Sequence, residues 1–447
     1  MAYLKVKRAA RELALDKAVH YLARDPDKNL LVLLDFAERL AFDREQKRKV
    51  QQLREHFRDN KQIQEQARRL SKNPRMISRF MINWVGNSML EGQRIRVAKA
   101  EELGVSVPSL ILVDPTAACN LNCPGCWAGE YRQADSLEPE LFDRILREAK
   151  ELGIYWIVLS GGEPFAYPHL LDVLEKHQDM AFMAYTNGTL IDEETARRMG
   201  EMANISPAFS LEGGEEETDA RRGPGTFQKV MKAMELMRDN GIYFGTSVTV
   251  TSSNLDNIFN DEFVDWLVEQ GAVYMWSFHY VPVGRNADTS LMLSAEQRRD
   301  LIDRVARLRS EKPVLIADFW NDGEATQGCI AGGRLFFHIN ASGDVEPCAF
   351  AHFATDNIRE KSLEEALQNP LFKAMQKRHP YSKNYLMPCP IIDHPHVLRE
   401  VVKESGAHPT HADAENLING EIASHLDQIA ARWREEAEKV KAGKIIT

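Results

Sequence analysis

The sequence predicts an α/β protein built on a parallel sheet, and three observations predict it. Six apolar segments of strand length alternate with helical patterns between residues 108 and 290, and strand–helix alternation implies parallel strands joined by crossovers. An open doubly wound sheet and a barrel or partial barrel both fit that alternation. Residues with chemical potential gather at the C-terminal end of nearly every segment, which favours the barrel. Finally, Cys119, Cys123 and Cys126 follow the first segment in CxxxCxxC spacing.

Composition sets the bounds. The chain has 447 residues, 44% hydrophobic and 27% charged, ordinary globular values with length for one large domain or two to three smaller ones. No apolar run reaches membrane-spanning length, and the first residues lack the apolar stretch of a secretory signal. Six cysteines, three of them clustered, do not read as a disulfide framework; reduced thiols and a cytoplasmic location are the expectation. The charge is uneven. Residues 1–100 carry 23 basic and 12 acidic side chains, net +11, while the remainder is net −21. This suggests an anionic partner for the first part: lipid headgroups, RNA, or the acidic remainder of the same chain, which is preferred.

In chain order, apolar residues at helical spacing (Leu13, Val19, Leu22, then Leu30, Leu34, Leu40) predict helices over 8–72, broken by the Asp25-Pro26-Asp27 turn. The charged stretch 44–70 reads as a solvated helix. Residues 74–99 mix Met76, Ile77, Phe80, Trp84, Met89 and Leu90 with five basic residues. A core helix packed across the barrel is preferred over an interfacial helix with basic ends. Strands are predicted at 110–114, 155–159, 182–185, 207–211, 245–250 and 275–281, with helices between them and another over 291–312. Ser342-Gly343-Asp344 predicts a hairpin joining 335–339 to 345–346. In the tail, Ile422, Leu426, Ile429, Ala430 and Trp433 form the apolar stripe of a charged helix over 422–441.

Thiolates are soft ligands that select iron–sulfur clusters, zinc or copper(I). Three neighbouring cysteines satisfy three irons of a cubane and leave the fourth open to something that is not protein. A closed zinc site wants a fourth ligand close by, and no His or Cys follows within thirty residues of Cys126. A cluster is therefore preferred over zinc or redox thiols. Placed at the end of a first strand, this loop resembles the signature of radical S-adenosylmethionine (SAM) enzymes. The resemblance implies a partial (β/α)6 barrel of TIM type and a [4Fe–4S] cluster on Cys119, Cys123 and Cys126. It also implies SAM chelated to the open iron, cleaved by one electron to a 5′-deoxyadenosyl radical that abstracts hydrogen from substrate. An electron donor such as flavodoxin or ferredoxin follows. One position departs from the family: an aromatic residue is usual just before the third cysteine, near the adenine. Here that position is Gly125, and the aromatic follows as Trp127.

The second strand ends in Ser160-Gly161-Gly162-Glu163-Pro164. Its glycines admit close approach of a ligand, and Glu163 can accept from an ammonium. About 36 residues after the cysteine loop, the stretch resembles the family's GGE motif, which implies contact with the SAM amino group. The resemblance likewise places Asn187, Ser210 and Glu212 around SAM, with Arg222, in preference to Arg221, on its carboxylate; Thr249, a polar group at the end of the fifth strand, is placed to meet the ribose or methionine by its location. Cys329, Cys348 and Cys389 form a second constellation, two of them drawn together by the predicted hairpin. It resembles the C-terminal SPASM/Twitch extension, in the shorter Twitch form because no cysteine follows Cys389. That implies an auxiliary [4Fe–4S] cluster with one iron lacking a Cys, to be completed by substrate, solvent, Asp393, His394 or His396. Tyr280, Asp318 and Glu324 are general-base candidates by location. His408 and His411 are a weak metal signal.

The expected organisation is a basic helical N-terminal region (1–107), a radical SAM barrel (108–312), a small α+β Twitch-like module (313–398) and a helical tail (399–447). The expected function is a radical SAM oxidoreductase, or C–C or C–S bond-forming enzyme, acting on a peptide, small molecule or lipid. Lipid or isoprenoid C–C bond formation with peripheral membrane contact is one alternative, prompted by residues 74–99. A non-catalytic iron–sulfur electron carrier or redox sensor is another. Nucleic acid is not an expected partner, because the basic stretch lacks interleaved stacking aromatics.

Overall fold

The computed structural model describes residues 2–40 and 57–444, together with Gln51, Arg54 and Glu55. Seven parallel strands neighbour one another in chain order: β1 (Leu110–Val113), β2 (Trp156–Leu159), β3 (Ala181–Thr186), β4 (Ile205–Leu211), β5 (Gly245–Val250), β6 (Tyr274–His279) and β7 (Leu315–Asp318). This order has no point where the winding reverses, so the sheet is a barrel wall and not a doubly wound sheet. The first six strands are those predicted. The seventh, four residues long, is not among the predicted strands. The sheet then crosses the boundary expected at 312/313. β8 (His338–Ile339) pairs in parallel with β1, Leu112 opposite His338, and the predicted hairpin returns as β9 (Val345–Glu346).

Alternation along the strands separates two apolar layers. Ile157, Leu159, Phe182, Phe209, Val248 and Met275 face the surrounding helices. Leu112, Val158, Met183 and Ala208 face the interior. The tail helix, Gly420–Lys444, buries Leu426, Ala430 and Trp433 along its expected stripe.

The N-terminal region is the floor of the barrel. Helices Lys61–Ser71 and Pro74–Phe80 lead into a π-helix, Met81–Gly92, and a last helix, Gln93–Leu103. Their polar side chains donate to backbone carbonyls just where the crossover helices end. Arg69 reaches Pro313 O (2.8 Å) and the carbonyls of Val268 and Ala272 (2.9 Å each). Asn73 reaches Gly241 O at 2.5 Å and Arg75 reaches Glu201 O. Asn83 reaches Gln178 O (2.9 Å) and Met180 O (2.8 Å), Asn87 reaches Asp179 O (3.0 Å), and Arg96 reaches Gly153 O (2.6 Å). Read along the chain, these contacts walk from β7 back to β2. Helix C-termini carry orphan carbonyls and partial negative charge, so three of the basic residues of the first hundred, Arg69, Arg75 and Arg96, meet the chain's own barrel.

The core-helix expectation for 74–99 needs correcting on this point. Met76 and Ile77 are buried, but so are Asn83, Asn87 and Ser88, while Phe80, Met89, Leu90 and Val97 are exposed. A floor that faces carbonyls must present donors. Trp84 stacks on Phe80 and meets Trp156 of β2 edge-on at 6.4 Å. Residues 44–50, 52, 53 and 56 of the charged helix expected over 44–70 lie outside the described residues. Among the described residues no helix is long and apolar enough to cross a membrane.

Candidate functional site

The loop after β1 is held by the end of β2. Gly162 N donates to Thr116 O (3.0 Å) and Glu163 N to Ala118 O (2.8 Å). A Cβ on Gly162 would strike the Ala118 carbonyl, and one on Gly161, at φ +107°, the Thr116 carbonyl. The two glycines therefore let one loop lie against another, in addition to the close approach of a ligand expected of them. Beneath the loop Asp114 is buried. It accepts from Ser160 Oγ (2.7 Å) and pairs with His338 Nε2 (2.8 Å), whose Nδ1 faces Glu346 at 2.7 Å. Glu346 also accepts from Tyr131 and Thr410. His338 belongs to β8, so this network ties the module to the cysteine loop.

Glu163 is buried, and its carboxylate accepts from Phe165 N (3.1 Å), Thr186 Oγ1 (2.7 Å) and Asn187 N (2.7 Å). Burial raises its pKa and these donors oppose the rise. Asn187 Nδ2 also approaches Cys119 Sγ (3.9 Å). Glu212 Oε1 accepts from Arg221 Nη1 (2.7 Å) and Arg222 Nη2 (2.5 Å), while its buried Oε2 has no partner among the described residues. Arg221 also donates to the carbonyls of Pro124 and Gly125 (3.2 and 3.1 Å). Arg221 thus joins β4 to the cysteine loop and stands level with Arg222, which sequence reasoning had preferred.

All six cysteines line one cavity of about 740 Å³. Gly161, Gly162, Glu163, Asn187, Ser210, Arg222, Thr249 and Trp127 line it as well; Pro164 and Glu212 stand behind it. Its waist is aromatic: Trp276 stacks on Phe319 (5.0 Å) and Phe319 on Phe278 (4.8 Å). Trp127 packs among Tyr131, His338 and Phe350, at the seam with the module. The space beside Gly125 is filled instead by Tyr280, whose Cε2 would lie 2.9 Å from a Cβ there. No local signal links Tyr280 to the cysteine loop, since the contact spans most of the barrel's sequence.

All six cysteines are free thiols. Burial pushes Cys119 up to about 11, and Cys329, Cys348 and Cys389 to about 12, with neighbouring thiols adding to the rise within each trio. Such thiols are poor nucleophiles alone and ionise only against a cation. Among the described residues, no three His, Cys, Asp or Glu side chains converge closely enough for a single ion. Three soft-ligand thiols in each trio, within electrostatic reach of one another on the wall of one cavity, suit a cubane cluster. Leu121 N to Cys119 Sγ (3.4 Å) and Ile391 N to Cys389 Sγ (3.3 Å) supply the N–H donors that tune such clusters.

Of the fourth ligands expected for the second trio, two already have partners in the protein. Asp393 accepts from Cys389 N (3.0 Å) and Arg298 Nη1 (2.6 Å), His394 Nε2 meets Met387 O (3.1 Å), and His396 is exposed. Asp318 is buried 3.4 Å from His279. Glu324 does not line the cavity. His408 lies in a short strand against Ala354, and His411 faces His352 at 2.5 Å.

Residues 113–267 match the profile of the radical SAM superfamily, and residues 329–390 that of an iron–sulfur cluster-binding domain, SPASM. The chain is 28% identical over 293 residues to an AdoMet-dependent heme synthase of Methanosarcina barkeri, covering 59% of this chain and 83% of that one. It is 30% identical over 272 residues to the mycofactocin maturase MftC of Mycolicibacterium smegmatis, covering 57% and 68%. Among solved structures it resembles Streptococcus suis SuiB bound to S-adenosylmethionine, with TM-score 0.56, 20% identity and coverage of 67% and 76%, a likeness of fold.

Proposed function

The chain belongs to the radical SAM superfamily and carries its SPASM iron–sulfur domain; from that premise we propose that it abstracts hydrogen from a small molecule with an apolar, ring-bearing body, seated between two clusters. The family's cofactors, [4Fe–4S] clusters and SAM, are this chain's. In the proposed reading Cys119, Cys123 and Cys126 hold the first cluster, and Cys329, Cys348 and Cys389 the second. When bound, the first cluster and SAM supply one-electron cleavage of the sulfonium and a radical that removes hydrogen from substrate.

The chain's own residues do the rest. Glu163, fixed by three donors, presents its carboxylate to the SAM ammonium. Arg222 and Arg221, anchored on Glu212, face its carboxylate. Tyr280, packed against Gly125, takes the place of the aromatic that relatives put before the third cysteine. The barrel floor and the module exclude water, which protects a radical from side reactions.

The observation that carries this reading is the single cavity: six thiols on its walls and stacked rings at its waist. The rings suit a planar apolar body better than an extended polar chain.

Anaerobic reconstitution, with iron counting and SAM cleavage measured together, tests the reading. Wild-type protein with a low-potential reductant is expected to form 5′-deoxyadenosine. Cys119→Ala, Cys123→Ala and Cys126→Ala should each abolish it, while Cys329→Ala should keep it and lose only the auxiliary cluster's iron. A wild-type protein that holds iron yet forms no deoxyadenosine would favour the electron-carrier alternative.

A further inference from the structure

The third auxiliary cysteine sits in a tightly braced turn. Cys389 O accepts from the backbone N–H of both Asp393 (3.1 Å) and His394 (3.0 Å), and Asp393 Oδ2 accepts from Cys389 N at 3.0 Å. The other oxygen of Asp393 pairs with Arg298 Nη1 at 2.6 Å. Both residues are almost wholly buried, Arg298 at 1% and Asp393 at 0% exposure. An ion pair so placed must offset the desolvation of two charges, and removing one partner leaves the other uncompensated.

Arg298 comes from the helix Ala295–Glu311, outside the turn. Its Nε and Nη2 have no hydrogen-bond partner among the described residues. The guanidinium lies instead over the ring of Trp433, 4.1 Å from its centroid, a contact worth more when desolvated. Trp433 is fully buried in the tail helix and donates through Nε1 to Leu386 O (2.9 Å), three residues before Cys389. Nearby, Asn384 Nδ2 donates to Ala437 O (2.9 Å). The tail helix therefore grips the segment before the cysteine directly, and the segment after it through Arg298 and Asp393. Arg298, Asp393 and Trp433 all fall outside the matched residues 113–267 and 329–390.

We propose that Arg298 and Asp393 are positioning residues of the auxiliary iron–sulfur site, and that the C-terminal helix, through Trp433, is a structural part of that site. The inference rests on the reading that Cys329, Cys348 and Cys389 hold a cluster. Asp393 places a negative charge beside a ligand thiolate and Arg298 cancels it. Net charge and hydrogen bonds to sulfur set the potential of such clusters. Asp393→Asn leaves the positive charge unbalanced, which favours the reduced cluster. Arg298→Met leaves the negative charge unbalanced, which favours the oxidised one.

The test is a redox titration followed by electron paramagnetic resonance on reconstituted full-length protein, the auxiliary signal being the one lost in Cys329→Ala. The auxiliary midpoint should rise in Asp393→Asn, fall in Arg298→Met, and return toward wild type in the double variant. The signal of the first cluster and uncoupled SAM cleavage should stay unchanged. Trp433→Leu should lower auxiliary iron retention without affecting the first cluster. Where Arg298→Met does not accumulate, Arg298→Lys, which keeps the charge, should leave the midpoint near wild type. Shifts of the same sign in the two single variants, no shift in either, or an equal shift of the first cluster would overturn the inference. A wild-type protein with no auxiliary signal would instead refute the assignment of the second trio.

Discussion

His338 stands between two carboxylates, Asp114 at 2.8 Å and Glu346 at 2.7 Å, all three buried. Burial alone would drive its proton off, but the two carboxylates outweigh it and raise the imidazole pKa to about 10. The ring is therefore a cation at neutral pH. A group whose folded pKa is raised stabilises fully below its ordinary value, 6.5, and loses that contribution as pH climbs through about 10. Thermal melts should thus show stability falling between those limits. His338→Ala should flatten the fall and cost about 3–5 kcal/mol at neutral pH, because it strands buried carboxylates; an unchanged melting profile would refute the cationic assignment. The sequence names this histidine only as one of thirteen. Its role comes from β8 lying beside β1.

At the scale of the element, the floor helices invert the usual relation of apolar to polar. The buried Asn83 donates to two carbonyls at the entry to β3, while Leu90 is 58% exposed. Asn83→Leu keeps the volume and removes both donors; Met180 O retains Asn204 Nδ2 (3.2 Å) while Gln178 O keeps only a long contact to Arg79 Nη1 (3.5 Å), so the expected cost is about 1–3 kcal/mol. Leu90→Glu should change stability by no more than about 0.5 kcal/mol. Denaturant unfolding of the two variants separates this arrangement from an ordinary amphipathic helix, for which the ranking would reverse. The periodicity of residues 74–99 announced a helix but not its buried face, because what it meets is a set of carbonyls drawn from residues 153 to 201.

Across the whole molecule, barrel and module share one sheet. β1 bonds to β2 on one side and to β8 on the other, and the cavity takes its wall from both parts. A fragment of residues 108–312 would lose the floor, β7 and the partner of β1, and would open an apolar interior to water. Such an edge invites association. The fragment is expected to aggregate or lack a cooperative melt, as size-exclusion chromatography and circular dichroism would show; a monomeric, cooperatively folding fragment would refute the shared-sheet account. The sequence by itself determined the six βα units, the hairpin at Gly343, the tail stripe and the two cysteine trios, because periodicity, turn chemistry and ligand spacing are written into neighbouring residues. Only the tertiary structure decided that Gly161 and Gly162 seat a loop, that Tyr280 fills the space at Gly125, that the basic N-terminal residues cap helix ends, and that Arg298 reaches Cys389 through Asp393. Each of those depends on groups far apart in the chain, whose meeting is fixed by packing and by the need to pair buried polar atoms, and leaves no local pattern to read.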